Sequence, residues 1–116
     1  MKDFMLLFRG GMDFKTATPE QMQTAMKNWK AWTEQLVQAG RYVNDGNRLR
    51  PEGAVLSGKK KDLIDGPYAE GKEIVGGFRV IKARDLADAI EAAKSCPIFD
   101  NNGHVEVREI IPTQAN

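Results

Sequence analysis

The sequence predicts an α+β sandwich, a single antiparallel sheet with two helices on one of its faces. Three observations predict it. Apolar runs of strand length alternate with two stretches of helical periodicity, in the order strand, helix, two or more strands, helix, strand. That order is close to the split βαβ pattern of ferredoxin-like folds. At 116 residues the chain has the length of one domain. We expect that domain to span residues 1–112, with 113–116 as a loose tail.

The elements follow in turn. Residues 4–8 are apolar throughout and close on Arg9-Gly10-Gly11, as in a short strand covered on both faces. Thr18-Pro19-Glu20-Gln21 opens a helix: Thr18 caps it, Pro19 fits its first turn, and Gln21 completes a capping box. Met22, Met26, Trp29, Thr33 and Leu36 then recur at helical spacing, and Gly40 ends the run in a left-handed cap. The predicted helix covers residues 19–39, packed through Met22, Met26, Trp29 and Leu36. Residues 41–49 suggest a second strand interrupted at Asn44-Asp45-Gly46. Ala54-Val55-Leu56 and Asp62-Leu63-Ile64 read as a hairpin turning through Ser57-Gly58 and the lysines. Residues 74–81 form the next strand. Gly76-Gly77 within it suits a bulge or a close backbone approach. Leu86, Ala89, Ile90 and Ala93 mark a second helix, begun by Arg84 or Asp85 and stopped before Pro97. Residues 104–111 give the last strand.

Two helices cover one face of such a sheet. The first strand nevertheless carries Phe4, Leu6 and Phe8 on one side and Met5 and Leu7 on the other. A second copy of the chain is the simplest cover for the remaining face, so we expect a two-fold homodimer with sheets face to face.

Composition excludes several function classes. Lys and Arg total 17 against 16 Asp and Glu, a net charge of +1, without the basic stripe of a nucleic-acid binder. The run Lys59-Lys60-Lys61 reads as a solvated hairpin tip rather than a phosphate contact. No apolar run approaches the roughly 20 residues of a membrane helix, and the apolar start is too short for a signal peptide. The single cysteine, Cys96, excludes a disulfide framework and reads as a buried thiol of a protein in a reducing compartment. One His and one Cys make no ligand set, so neither metal nor cofactor is expected. Phosphate loops, nucleophile elbows and metal-spaced Cys/His sets are absent from the sequence.

The densest local signal is Asp65-Gly66-Pro67-Tyr68-Ala69-Glu70-Gly71-Lys72-Glu73. Pro67 fixes its own φ, Gly66 takes backbone angles that a side chain resists, and Asp65 is held where a strand ends. Asp65 has two readings: a general base sharing a cleft with the Tyr68 phenol, or an Asx turn accepting backbone hydrogen bonds. Trp29 and Trp32, three apart, cannot both face the core squarely. One of them either packs with the rest or edges a cleft where it stacks on a planar ligand. Arg9 either holds an anionic ligand or pairs with Glu106 or Glu109. His104, near Asp100, is either half of a metal site or a solvated strand end.

These residues together carry a resemblance. The chain resembles the DGPF-domain branch of the YCII-related proteins. The match runs through Phe4-Met5-Leu6-Leu7-Phe8, the helix with Trp29 and Leu36 ending at Ala39-Gly40, and Asp65-Gly66-Pro67-Tyr68-Ala69-Glu70. It continues through Lys72-Glu73, Gly76-Gly77-Phe78, Ala83-Arg84-Asp85-Leu86, Cys96-Pro97 and Val105-Glu106-Val107-Arg108. Tyr68 replaces the phenylalanine of the naming motif. The resemblance implies a ferredoxin-like fold, a dimeric barrel and a cytoplasmic bacterial protein. For the wider family it implies an active-centre His–Asp pair, whose acid maps to Asp65. The family's histidine lies in the first helix. This helix holds none, and Trp29 stands at or beside that place. Two function classes follow: a small-molecule cleft near Asp65, enzymatic or binding, and a non-catalytic dimeric module contacting a protein or serving regulation.

Overall fold

The computed structural model describes residues 1–66 and 74–113, apart from the side chain of Asp65. Its elements are β1 (Lys2–Arg9), α1 (Pro19–Gln38), β2 (Asn47–Arg48), β3 (Ala54–Ser57), β4 (Asp62–Asp65), β5 (Val75–Ala83), α2 (Leu86–Ala93), a 3-10 helix (Pro97–Asn101) and β6 (His104–Glu109). Strands β2, β5, β1 and β6 form the main sheet in that order, and every neighbouring pair is antiparallel. This is the ferredoxin-like arrangement that the element order predicted. The β3–β4 hairpin is a separate two-stranded sheet, inserted in the connection between β2 and β5.

Local chemistry accounts for the elements. The Thr18 hydroxyl accepts from the Gln21 amide at 3.1 Å while the Thr18 amide donates to Gln21 Oε1 at 2.9 Å, so the capping box is complete. Past Ala39, the Arg41 amide donates to the Leu36 carbonyl at 2.8 Å and closes the end of α1, with Gly40 at φ +72. The second strand is broken as anticipated: Tyr42 makes an isolated bridge to Ile81, and pairing resumes at Asn47. Gly46 permits the detour, because a Cβ there would collide with the Phe78 carbonyl. Asp85 caps α2 by accepting from the Asp88 amide at 2.8 Å.

The two faces of the sheet differ. Phe4, Leu6, Phe8, Ile81 and Ala83 lie beneath the helices and build the core with Trp32, Leu36, Ala89, Ala93, Cys96 and Ile98. The Trp32 indole N–H donates to the Ala92 carbonyl at 3.4 Å and ties α1 to α2. The opposite face carries Met5 and Leu7 from β1 and Phe78 and Val80 from β5, all half-buried in the single chain. Ion pairs border this strip, Lys82 with Asp3 at 3.0 Å and Arg9 with Glu106.

One expectation about α1 is corrected. Met22 and Met26 are 37% and 70% exposed, whereas Trp32 and Leu36 are buried. The stripe that meets the core runs through Trp29, Trp32 and Leu36, and Met26 lies about 120° around the helix from Trp32. Apolar spacing alone identified the helix, but tertiary packing chose the side.

An ionic network around the buried Asp88 joins α2 to the end of α1. Arg41 donates to both Asp88 oxygens, at 2.9 and 2.7 Å, and the Arg84 amide donates to Asp88 at 2.9 Å. The Arg41 hydrogen bonds first, and those of Arg84 second, hold the Asp88 carboxyl well below the usual carboxylate range.

Candidate functional site

The chain turns away from the sheet at Gly10-Gly11, and the first half of α1 then overhangs the end of β1. The 3-10 helix, set by Pro97, faces that overhang on its way into β6. Between them lies a cleft of about 510 Å³. Its polar groups include the carboxylates of Glu20 and Asp100 and the amides of Asn28 and Asn101, and its apolar wall includes Met12 and Trp29. Asp13 and Asp100 also line a smaller adjoining hollow. Among the described residues lining either space none is Lys or Arg, so the described lining favours positive charge or hydrogen-bond donors.

Trp29 is held rigidly. Its ring meets Phe8 edge-on at 5.2 Å and Trp32 at 5.6 Å, with interplanar angles of 88° and 82°. Behind it lies a residue that sequence reasoning missed. Arg79 is buried on the helix side of β5, with its guanidinium 5.0 Å from the Trp32 ring centre and 5.9 Å from that of Trp29. It donates to the Thr33 hydroxyl at 2.8 Å and to the Asp45 carbonyl at 3.3 Å. Burial pulls its pKa down from the ordinary arginine value. The signal was strand parity: Arg79 shares the inward face with Ile81, between outward Phe78 and Val80.

Two of the predicted site residues, Trp29 and Arg9, lie on opposite sides of the sheet. Trp29 lines the cleft, so of the two tryptophans it is the one at a cleft edge, while Trp32 is core. Arg9 lies on the other face of the sheet, donating to Glu106, one of its two expected partners. Glu109 instead lies 3.8 Å from Lys2. Asp65 ends β4 opposite Ala54, followed by Gly66 at φ +76, a backbone angle that disfavours any side chain. Tyr68 lies outside the described residues, as do Pro67 and residues 69–73. His104 is exposed at the start of β6, opposite Arg9. Among the described residues, no three His, Cys, Asp or Glu side chains cluster to hold a metal ion. Cys96 is buried, and desolvation pushes its thiol up to about 12. Among the described residues no helix is long and apolar enough to cross a membrane.

The cleft can bind a flat ligand against the indole, orient it through the amides, and accept protons or hydrogen bonds at its carboxylates. No curated protein matches the chain. A family model, the YCII-related domain, matches residues 4–114. On that match, spanning nearly the whole sequence, the chain belongs to the YCII-related family.

Proposed function

We propose that this chain, a member of the DGPF branch, is a small-molecule-binding protein that works as a cytoplasmic homodimer. One observation carries the reading: a cleft whose wall includes a rigid tryptophan, with two carboxylates and three carboxamides around it and no basic residue among its described lining. That chemistry suits a small planar molecule that is cationic or rich in hydrogen-bond donors. Beyond this cleft, Asp65 is the acid we assign to any proton transfer, with Tyr68 as its partner, and Arg9, on the other face of the sheet, is the contact we assign to an anionic group. The tight Gly66 turn after β4 supports a fixed position for the Asp65 backbone. Dimerisation is supported by the apolar strip of Met5, Leu7, Phe78 and Val80 within its ionic border.

Benzamidine, a planar cation, is a suitable probe. In a Trp32→Phe background its titration should quench Trp29 fluorescence saturably, and Glu20→Gln with Asp100→Asn should weaken binding at least tenfold. A signal that never saturates, or one indifferent to both carboxylates, would remove the cleft reading. The alternative is a non-catalytic dimeric module for protein interaction or regulation. It is favoured by the leucines of the β3–β4 hairpin, Leu56 and Leu63, which are 67% and 63% exposed.

A further inference from the structure

The β3–β4 hairpin is an arm. Its strands pack chiefly on each other, and the whole chain is a plate of 49 × 47 × 20 Å. Leu56 and Leu63 sit directly opposite in the ladder and therefore on one face. Lys59, Lys60 and Lys61 form its exposed tip, where Gly58 and Lys61 take positive φ. The arm thus presents an apolar pair followed by three positive charges. The cleft and its adjoining hollow present the reverse: Met12 and Trp29 beside Glu20, Asp100 and Asp13, with no basic residue among the described lining of either.

The arm's own chain does not make this match. Among the described residues, none of β3 or β4 lines the cleft. The arm leaves from β2 at one edge of the sheet, whereas the 3-10 helix of the cleft feeds β6 at the other. Three strand spacings, roughly 14 Å, separate those edges. A second copy faces no such separation, because a two-fold stack of sheets can lay the β2 edge of one chain beside the β6 edge of its partner.

We infer that the β3–β4 arm of each protomer docks across the mouth of its partner's cleft, with Leu56 and Leu63 on the apolar wall and the lysine tip against Glu20, Asp100 and Asp13. This rests on the homodimer and cleft of the proposed function and covers that site with groups from the second copy. The tip lysines and a cationic ligand then share carboxylates, so the arm is a lid that such a ligand must displace.

The test is charge exchange between two chains. Lys59→Glu/Lys60→Glu/Lys61→Glu alters only the exposed tip, and Glu20→Lys/Asp100→Lys alters only the cleft. Each variant alone should raise the dimer dissociation constant at least tenfold in sedimentation equilibrium. An equimolar mixture should form the mixed dimer within about threefold of wild-type affinity, because one docking contact keeps its wild-type charges and the other has both signs exchanged. A second measurement avoids affinity: Lys60→Cys chains mixed with Asp100→Cys chains should give an interchain disulfide on oxidation. Unchanged dissociation constants, or a disulfide formed only within one Lys60→Cys/Asp100→Cys chain, would overturn the inference while leaving the dimer standing. A wild-type chain that stays monomeric removes the dimer as well, and loss of benzamidine binding alone removes only the cleft's ligand.

Discussion

Leu36→Ala should be among the costliest single truncations in α1, and Met26→Ala among the cheapest. Leu36 is 3% exposed within the core cluster, and its carbonyl anchors the end of the helix through the Arg41 amide. Removing three carbons from such a site forfeits about 2.4 kcal/mol of transfer free energy at ~0.8 per methylene. The residual cavity adds to this, and buried Leu→Ala changes cost about 2–5 kcal/mol. We take about 3 kcal/mol. For 116 residues the unfolding entropy near 60 °C is about 0.24 kcal/mol/K, so Tm should fall by about 12 °C. Met26 is 70% exposed, and its truncation should stay within about 0.5 kcal/mol of zero. Urea unfolding followed by tryptophan fluorescence reads both, at one fixed protomer concentration because dimerisation would add a concentration-dependent contribution. Equal losses for the two variants, or a Leu36→Ala loss under about 1 kcal/mol, would show that the helix packs by another face.

Three further outcomes are expected. Asp88 has a folded pKa below its unfolded value of roughly 3.9, so its stabilisation is present above that value and fades as pH falls through the folded one. Asp88→Asn should lower Tm at neutral pH and flatten its dependence below about pH 4, as calorimetry across that range can check. Cys96, pushed up to about 12, should react with a disulfide reagent at pH 8 only as fast as the protein unfolds, and rapid labelling of the native protein would contradict its burial. Val80→Lys, placed in the half-buried strip of the open face, should give a folded monomer by light scattering with an unchanged circular dichroism spectrum.

Much of this architecture was legible because it is written locally. The Thr18–Gln21 box, the Gly40 stop, the break at Asn44-Asp45-Gly46 and the two short strands around the lysines each depend on neighbours within a few positions. What depends on distant chain was not. Periodicity offered Met22 and Met26 as core, yet α1 overhangs the sheet in that half and only the tilt toward Trp32 decides burial. Arg79 was readable by parity alone, but a buried cation is rare enough that parity needed the two tryptophan rings to explain it. The cleft was half visible. Trp29 was named for a cleft beside Asp65, whereas here Glu20, Asn28 and Asp100 become its partners, and only when the 3-10 helix, itself not anticipated, turns back on α1.

The inserted hairpin also bears on how the chain folds. Pairing Arg48 with Gly77 closes a loop of about thirty residues, a slow search for so short an edge strand. The turn at Gly58–Lys61 lets β3 and β4 zip on their own within microseconds. Once zipped, they take about half of that loop out of play, and halving its length saves about 0.6 kcal/mol of closure entropy. The arm therefore acts as a contour-shortening clip during assembly. Lengthening it by further paired residues should leave the folding rate almost unchanged, whereas unpairing it at Gly58 should slow formation of the β2 edge.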